Sequence, residues 1–370
     1  MKKENVSFGN RMTWVDALKG IAICGVIMAH IEIEGAGIID NIRSIGRNGV
    51  QMFFLLSAFL AFASYEKRLD EQEKSKRTYI IWIIQRIVRL VPLYYISILA
   101  AGIFLGGQSY WLGGEKNITI GNVMMHIMFL HGLFPHYINS IIGGEWYLGT
   151  LIIFYLLIPY LYKLIDSLEK SIIWFMSSAI ICKLLSTICS KLTLGFLDSY
   201  IYGTYFENFW FLAQFPVMLL GIVFYHVKKL SLLDQTNSKT ALSCILLMFS
   251  GCMVVGMALH RNKLVGLSEY TLFGIWFFFL ICSQYLRPFF AIGNRVFGIL
   301  GKYSYPIYLF HLLIIVLYEK YIPNFVENII LGWIIKYIVV VAVSLVLALF
   351  LTRFVDEPLK KLLRRYIFGK

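Results

Sequence analysis

Charged side chains are scarce in this chain of 370 residues. Asp, Glu, Lys and Arg together make up 15% of the sequence, while 59% of the residues are hydrophobic. Soluble domains carry about 25% charged residues, and the mean hydropathy here is +0.71. Apolar runs of helix length fill most of the sequence. Together these features exclude a water-soluble globular protein and indicate a single membrane domain over residues 1–370.

Paired cysteines are also lacking. The six cysteines all lie inside apolar stretches and none forms a CxxC pair, so we expect neither a metal site nor disulfides. They are Cys24, Cys182, Cys189, Cys244, Cys252 and Cys282. A cleavable signal peptide is likewise not evident. The first apolar run contains Asp16 and Lys19 and no small-residue cleavage site, so we expect it to be retained.

Ten apolar runs are long enough to cross a bilayer as helices, which need roughly 20 residues because lipid offers no partner to a free amide. They lie near 14–33, 50–65, 79–106, 145–165, 172–192, 208–227, 241–259, 267–286, 299–321 and 331–353. The shorter run Asn122–Pro135 contains His126 and His131 and predicts a re-entrant or interfacial helix. The predicted fold class is all-α: a polytopic helical membrane protein with about ten transmembrane helices plus that short one.

The basic residues indicate the orientation. A formal net charge of +13 could suggest nucleic acid, but the basic residues are scattered between apolar runs, as in the loops of membrane proteins. Both ends of the chain are basic, and loops 136–144 and 193–207 contain no Lys or Arg. An even number of spans with both termini cytoplasmic fits this pattern. The tail, 354–370, predicts a short basic helix on anionic lipid.

Ionisable residues within spans are costly and usually functional. Lys19 and His30 are eleven residues apart, so they return to nearly the same face of the first span, about 16 Å apart along its axis. His30 then lies beyond the membrane midplane. The alternative is a Lys that extends to the interface and an isolated, hydrogen-bonded His.

Two arginines follow in the third span. Arg86 and Arg89 are three residues apart, which predicts one helix face within reach of the cytoplasm and a clamp for phosphate. The alternative is a pair of helix-end side chains that extend to the interface.

The segment Gly301–His311 carries a second polar face. Ser304, Tyr308 and His311 are spaced i, i+4 and i+7, and the helix should start near Ile299 on the cytoplasmic side. His311 should then reach a depth similar to that of His30. The two histidines therefore predict one shared polar cavity.

These motifs, in this order, resemble the acyltransferase 3 family of bacterial membrane O-acyltransferases. The resemblance runs from Arg11 to Pro358 and rests most on Lys19-x10-His30 and Arg86-x2-Arg89, with GVQMFFLLSAFL, EWYLGTLIIFYLLIP, GKYSYPIYLFH and DEPLKK around them. Two positions depart from the common pattern: Leu151 stands where many members have Glu, and Ala58 where Gly is usual. Trp146-Tyr147-Leu148 resembles the polysaccharide acyltransferase-like subset.

The resemblance implies transfer of an acyl group, most often acetyl, from acyl-CoA to a hydroxyl, commonly on a cell-surface sugar that can be lipid-linked. Acetyl-CoA is then a co-substrate, and no cofactor stays bound. The expected partners are acyl-CoA, the carbohydrate and membrane lipid, but not nucleic acid. The expected location is a bacterial plasma membrane. We assign His30 as the general base, and we assign Lys19, Arg86 and Arg89 to binding of the acyl-CoA donor. Supporting or acceptor-binding candidates are Asp16, Trp146, Ser304, Tyr308 and His311. The rival function is a transporter or exporter of a polysaccharide or small metabolite with the same fold.

Overall fold

The computed structural model describes residues 12–33, 38–71, 76–107, 118–135, 137–193, 207–236, 238–260, 267–323 and 326–368, and every regular element in these ranges is helical. The helices are α1 Thr13–His30, α2 Ile38–Gly46, α3 Gly49–Glu71, α4 Lys76–Val88, α5 Val91–Phe104, α6 Ile120–Ile127, α7 Trp146–Leu164, α8 Leu168–Thr193, α9 Phe211–Lys229, α10 Lys239–His260, α11 Glu269–Leu286, α12 Arg295–Lys302, α13 Ser304–Tyr321, α14 Ile329–Leu351 and α15 Glu357–Phe368. Short 3₁₀ and π turns occupy His131–Leu133 and Thr352–Asp356, and a single helical turn occupies Glu207–Phe209.

Nine of the described helical segments are long and apolar enough to cross a membrane, and the bent pair α12–α13 makes a tenth if it counts as one span. The sequence-based prediction of a polytopic helical membrane protein with about ten spans is therefore confirmed. Helix α6 has eight residues, about 12 Å of helix, and is too short to cross. It overlaps Asn122–Pro135, the segment expected to be re-entrant or interfacial.

Helix α3 lies at the centre of the bundle. Its membrane-spanning window is 83% buried, against 11% for α10 and 22% for the segment that contains α14. It packs against α1, α7, α9 and α11. The outer helices instead present large apolar side chains such as Met248 and Val346 outward, where a bilayer would solvate them.

Glycines bring α1 unusually close to α12. A Cβ added at Gly301 would lie 1.6 Å from the carbonyl oxygen of Asp16, and one added at Gly20 would lie 2.0 Å from that of Phe297. Small residues at such crossings let two backbones touch. The first half of α1 is therefore held directly against α12.

The third span is interrupted for two residues, Arg89 and Leu90. Helix α4 ends at Val88 and α5 begins at Val91, because the ring of Pro92 crowds the carbonyl of Val88 and offers no amide hydrogen. The carbonyl of Leu90 accepts hydrogen bonds from the Tyr94 amide at 3.2 Å and from Tyr305 Oη at 2.7 Å. Arg77–Phe104 is nevertheless one membrane-spanning segment, as predicted, with Arg89 at its interruption. The shared face of Arg86 and Arg89 stays a prediction.

The span expected from Ile299 also starts differently. Helices α12 and α13 meet at Tyr303 with a bend of 79°. Pro306 favours a helix start here, because its ring would crowd the carbonyl of Lys302 in a continuous helix. Ser304 is therefore the first residue of α13, one turn before Tyr308.

Candidate active site

His30 and His311 contact each other at the centre of the candidate site. Their ring centroids are 5.2 Å apart and the planes are inclined at 66°. His30 is the last residue of α1 and is half-buried, whereas His311, in α13, is fully buried. The structure therefore places the two histidines side by side, and the shared polar cavity predicted for them stays a prediction.

Backbone carbonyls hold both imidazoles in the same tautomer. Nδ1 of His30 donates to the carbonyl of Val26 at 2.8 Å, and Nδ1 of His311 donates to that of Tyr308 at 2.7 Å. With the proton on Nδ1, each neutral ring keeps a lone pair on Nε2. Nε2 of His311 is buried and has no hydrogen-bond partner among the described residues. Both rings can therefore accept a proton at Nε2.

The end of α1 is fixed by side chains from two other helices. Arg43 Nη1, from α2, donates to the carbonyl of Ala29 at 2.6 Å, and Trp333 Nε1, from α14, donates to that of Ile31 at 2.9 Å. Asp40 pairs with Arg43 at 2.7 Å. These donors satisfy carbonyls that a helix end leaves without partners. By fixing the end of α1, these hydrogen bonds also fix the position of the His30 ring.

Aromatic rings form one wall beside the histidines. Tyr308 lies 5.7 Å from His311, 5.5 Å from Tyr147 and 6.2 Å from Phe53 between ring centroids. Tyr147 Oη shares a hydrogen bond of 3.1 Å with Ser57 Oγ. The sequence reading assigned no role to Tyr147, although it lies in the quoted Trp146-Tyr147-Leu148 motif, or to Phe53 and Arg43.

The other expected acceptor residues lie farther from the pair of histidines. Trp146 stacks on Phe209 at 4.6 Å and 16°, and it touches Phe54, but it makes no ring contact with either histidine among the described contacts. Ser304 is buried at the start of α13. Asp16 and Lys19 are half-buried on the part of α1 that faces α12.

The two arginines have different surroundings. Arg86 Nη2 donates to the carbonyl of Leu60 at 3.1 Å and to Ser64 Oγ, and its guanidinium lies over Trp82 and Tyr155. Arg89 is exposed in the helix break, within electrostatic range of Arg86. The structure therefore brings the two charges together, but it anchors only Arg86 among the described residues.

Comparison with known proteins identifies the family. The acyltransferase domain of the acyltransferase 3 family matches residues 12–353, which is most of the chain. No curated protein and no solved structure matches. Among the described residues, no group of three or more His, Cys, Asp or Glu side chains is placed to hold a metal ion. The chain belongs to the acyltransferase 3 family and is a multi-pass membrane acyltransferase.

Proposed function

We propose that this protein transfers an acetyl group from acetyl-CoA to a hydroxyl of a cell-surface carbohydrate, in a bacterial plasma membrane with both termini in the cytoplasm. The observation that carries the proposal is the contact between His30 and His311, both with Nε2 as the proton-accepting nitrogen. A hydroxyl needs a base of this kind before it attacks a thioester.

His30 is the proposed general base because its half-buried ring can be reached, whereas His311 is fully enclosed. Nε2 of His30 takes the proton of the acceptor hydroxyl as its oxygen attacks the thioester carbonyl. The tetrahedral intermediate then collapses with loss of the CoA thiolate, which takes the proton back from His30. The products are the ester and free CoA. His311, enclosed behind His30, supports the His30 ring through their contact.

The donor's phosphates are proposed to bind at the opposite end of α1 from His30. Lys19 lies about 16 Å from His30 along the helix axis, a distance that the extended arm of CoA spans. Arg89 is exposed and available for phosphate, and Arg86, anchored through Nη2, offers its other nitrogens. Asp16, one turn from Lys19, orients that lysine.

The acceptor is proposed to bind on the opposite side, against the wall of Tyr308, with Trp146 and Ser304 beyond it. Aromatic faces suit the apolar faces of sugars. The carbohydrate then reaches the histidines from one side of the membrane and the thioester from the other. The same arrangement allows a lipid-linked acceptor.

Substitution of His30 tests the proposal. His30→Ala and His30→Gln should both abolish transfer of labelled acetate from acetyl-CoA to surface glycan, because Gln keeps hydrogen bonding but has no basic nitrogen. Loss of a general base costs about 10²- to 10⁴-fold in rate. Acetyl-CoA binding and the amount of membrane-inserted protein should stay near wild type.

His311→Ala is the matched comparison and should cost less than His30→Ala. Substantial turnover by His30→Gln would contradict the assignment and move the base to His311. Movement of a glycan or metabolite across the membrane without acetate transfer by the wild-type protein would favour the transporter instead.

A further inference from the structure

A fully buried carboxylate lies just before α7, outside the residues assigned so far. Glu145 accepts hydrogen bonds from the backbone amides of Ile141 at 2.6 Å, Ile142 at 3.1 Å and Gly144 at 3.0 Å, and from His126 Nε2 at 3.2 Å. Its side chain is 0% exposed. Four donors around one carboxylate stabilise its ionised form.

His126 supplies the balancing charge. Its Nδ1 lies 2.8 Å from the carbonyl of Asn122, and its Nε2 faces Glu145. Both ring nitrogens therefore face oxygen acceptors, so both carry protons and the ring is an imidazolium. Burial alone would raise the pKa of the Glu145 carboxyl, but the hydrogen bond and charge of His126 hold it below its usual value.

His131 completes the cluster as its neutral member. Its ring stacks on that of His126 at 4.4 Å and 7°, and its Nε2 donates to the backbone carbonyl of Glu145 at 2.9 Å. Burial, and then the charge of His126, lowers the pKa of His131. The stack places a neutral ring against a cationic one, which is favourable.

The cluster is linked to the histidine pair through one residue. Gly144, whose amide binds Glu145, accepts a hydrogen bond from Tyr308 Oη at 2.8 Å through its carbonyl. The carbonyl of Tyr308 accepts the Nδ1 proton of His311. A Cβ at Gly144 would lie only 3.3 Å from the Tyr308 ring, so the two pack in direct contact. A shift of the turn at Gly144 therefore moves Tyr308 and, with it, His311.

We propose that Glu145, paired with His126, is a positioning residue for acyl transfer: it fixes the turn at Gly144 so that Tyr308 holds His311 in place beside His30. The inference rests on the proposed function, because its effect is on that reaction. Glu145 itself touches no reacting atom. Without its negative charge, three amides and an imidazolium lose their common acceptor, and the turn at Gly144 loses its anchor.

A double-mutant cycle tests the proposal. In the full-length protein in proteoliposomes, Glu145→Gln should lower kcat for acetyl transfer by about 10- to 100-fold, the cost of a small misplacement of a reacting group. The KM for acetyl-CoA should change less than twofold, because the donor site lies at the other end of α1. Tyr308→Phe should also lower kcat. The double variant should be no slower than the slower single one, since both changes break the same chain of contacts.

Ser243→Ala is the matched control. Ser243 and Ser283 form a buried hydrogen bond between α10 and α11, away from the histidines. In a variant that carries both Glu145→Gln and Ser243→Ala, the fold-losses in kcat of the two single variants should multiply. If Glu145→Gln does not accumulate in the membrane, His126→Gln replaces it in the same cycle, because an amide still donates to Glu145 but carries no charge.

Two results would overturn the inference: kcat within twofold of wild type in Glu145→Gln, or losses of Glu145→Gln and Tyr308→Phe that multiply. Either result leaves the proposed function intact if wild type and His30→Gln behave as expected. No acetate transfer by the wild-type protein would instead overturn the proposed function, and the inference with it.

Discussion

At the scale of single residues, the two histidines differ from a catalytic triad in what orients them. In a triad a carboxylate holds Nδ1 and stabilises the imidazolium. Here the carbonyls of Val26 and Tyr308 hold Nδ1, so they set the tautomer without supplying a full negative charge. In the proposed mechanism, the imidazolium that forms during transfer is therefore short-lived, and its proton passes quickly to the leaving thiolate.

Arg89 and Arg86 should separate into a binding role and an anchored role. Arg89→Ala should weaken acetyl-CoA binding about tenfold or more, because each charge-assisted hydrogen bond contributes about 1.5–3 kcal/mol, and should leave thermal stability unchanged. Arg86→Ala should lower both the affinity for acetyl-CoA and the thermal stability, because Arg86 also donates hydrogen bonds to Leu60 and Ser64. Isothermal titration calorimetry and thermal unfolding in detergent measure the two effects.

Arg287→Ala is the control for Arg89, because Arg287 is also exposed, just after the end of α11. It should leave affinity unchanged, which excludes a general effect of lost positive charge. Unchanged affinity in Arg89→Ala would contradict the donor-binding assignment.

Some residues of the candidate site could be predicted and others could not. The spacing of Lys19 and His30 depends only on helical rise and was predictable from the sequence. The contact of the His30 and His311 rings also depends on how α1 packs against α13, which no local pattern encodes. Arg43 and Trp333 reach α1 from helices that are distant in sequence, so only the packed structure brings them to it. Tyr147 lay in a quoted motif but was not assigned.

At the scale of elements, two helix breaks shape the site. Pro92 separates α4 from α5 and leaves Arg89 outside a helix, while the 79° bend at Tyr303 starts α13 at Ser304. The ten spans followed from apolar length alone. Both breaks contain prolines visible in the sequence, but the bend angle depends on how α12 packs against α1, which no local pattern encodes.

Gly301 should be intolerant of any side chain. Its Cβ would lie 1.6 Å from the Asp16 carbonyl oxygen, which belongs to a backbone that cannot turn aside. Gly301→Ala should therefore destabilise the protein by about 1–3 kcal/mol or more, and it should impair transfer by displacing α1. Thermal unfolding of purified protein, together with the activity assay, measures both effects.

Gly298→Ala is the control on the same helix. A Cβ at Gly298 would meet no described atom within 4 Å, so Ala should be neutral or slightly stabilising because it favours helix more than Gly does. Equal unfolding temperatures for the two variants would show that α1 and α12 do not pack as closely as described.

At the scale of the whole molecule, the donor and acceptor sites are proposed to lie toward opposite sides of one membrane domain. On α1, Lys19 lies toward the proposed donor site and His30 toward the proposed acceptor site. Successive spans cross the bundle in opposite directions. Burial concentrates in α3, which packs beside α1, while α10 and α14 mostly face lipid. The proposed acetyl transfer therefore depends on which side of the membrane each end of the bundle faces.

Reporter fusions test that orientation. With ten spans and basic termini in the cytoplasm, fusions after Thr236 and Phe368 should report cytoplasm, and fusions after Asn139 and Asn328 should report the outside. Asn139 is decisive because it follows α6, the short helix that we expect to enter and leave by the same face. Cytoplasmic signals at Asn139 and Asn328, with outside signals at Thr236 and Phe368, would arise if 122–135 crosses the membrane or if the whole protein is inverted. A fusion after Glu71 separates the two cases: a cytoplasmic signal there makes 122–135 an eleventh span, and an outside signal inverts the protein and places His30 on the donor's side.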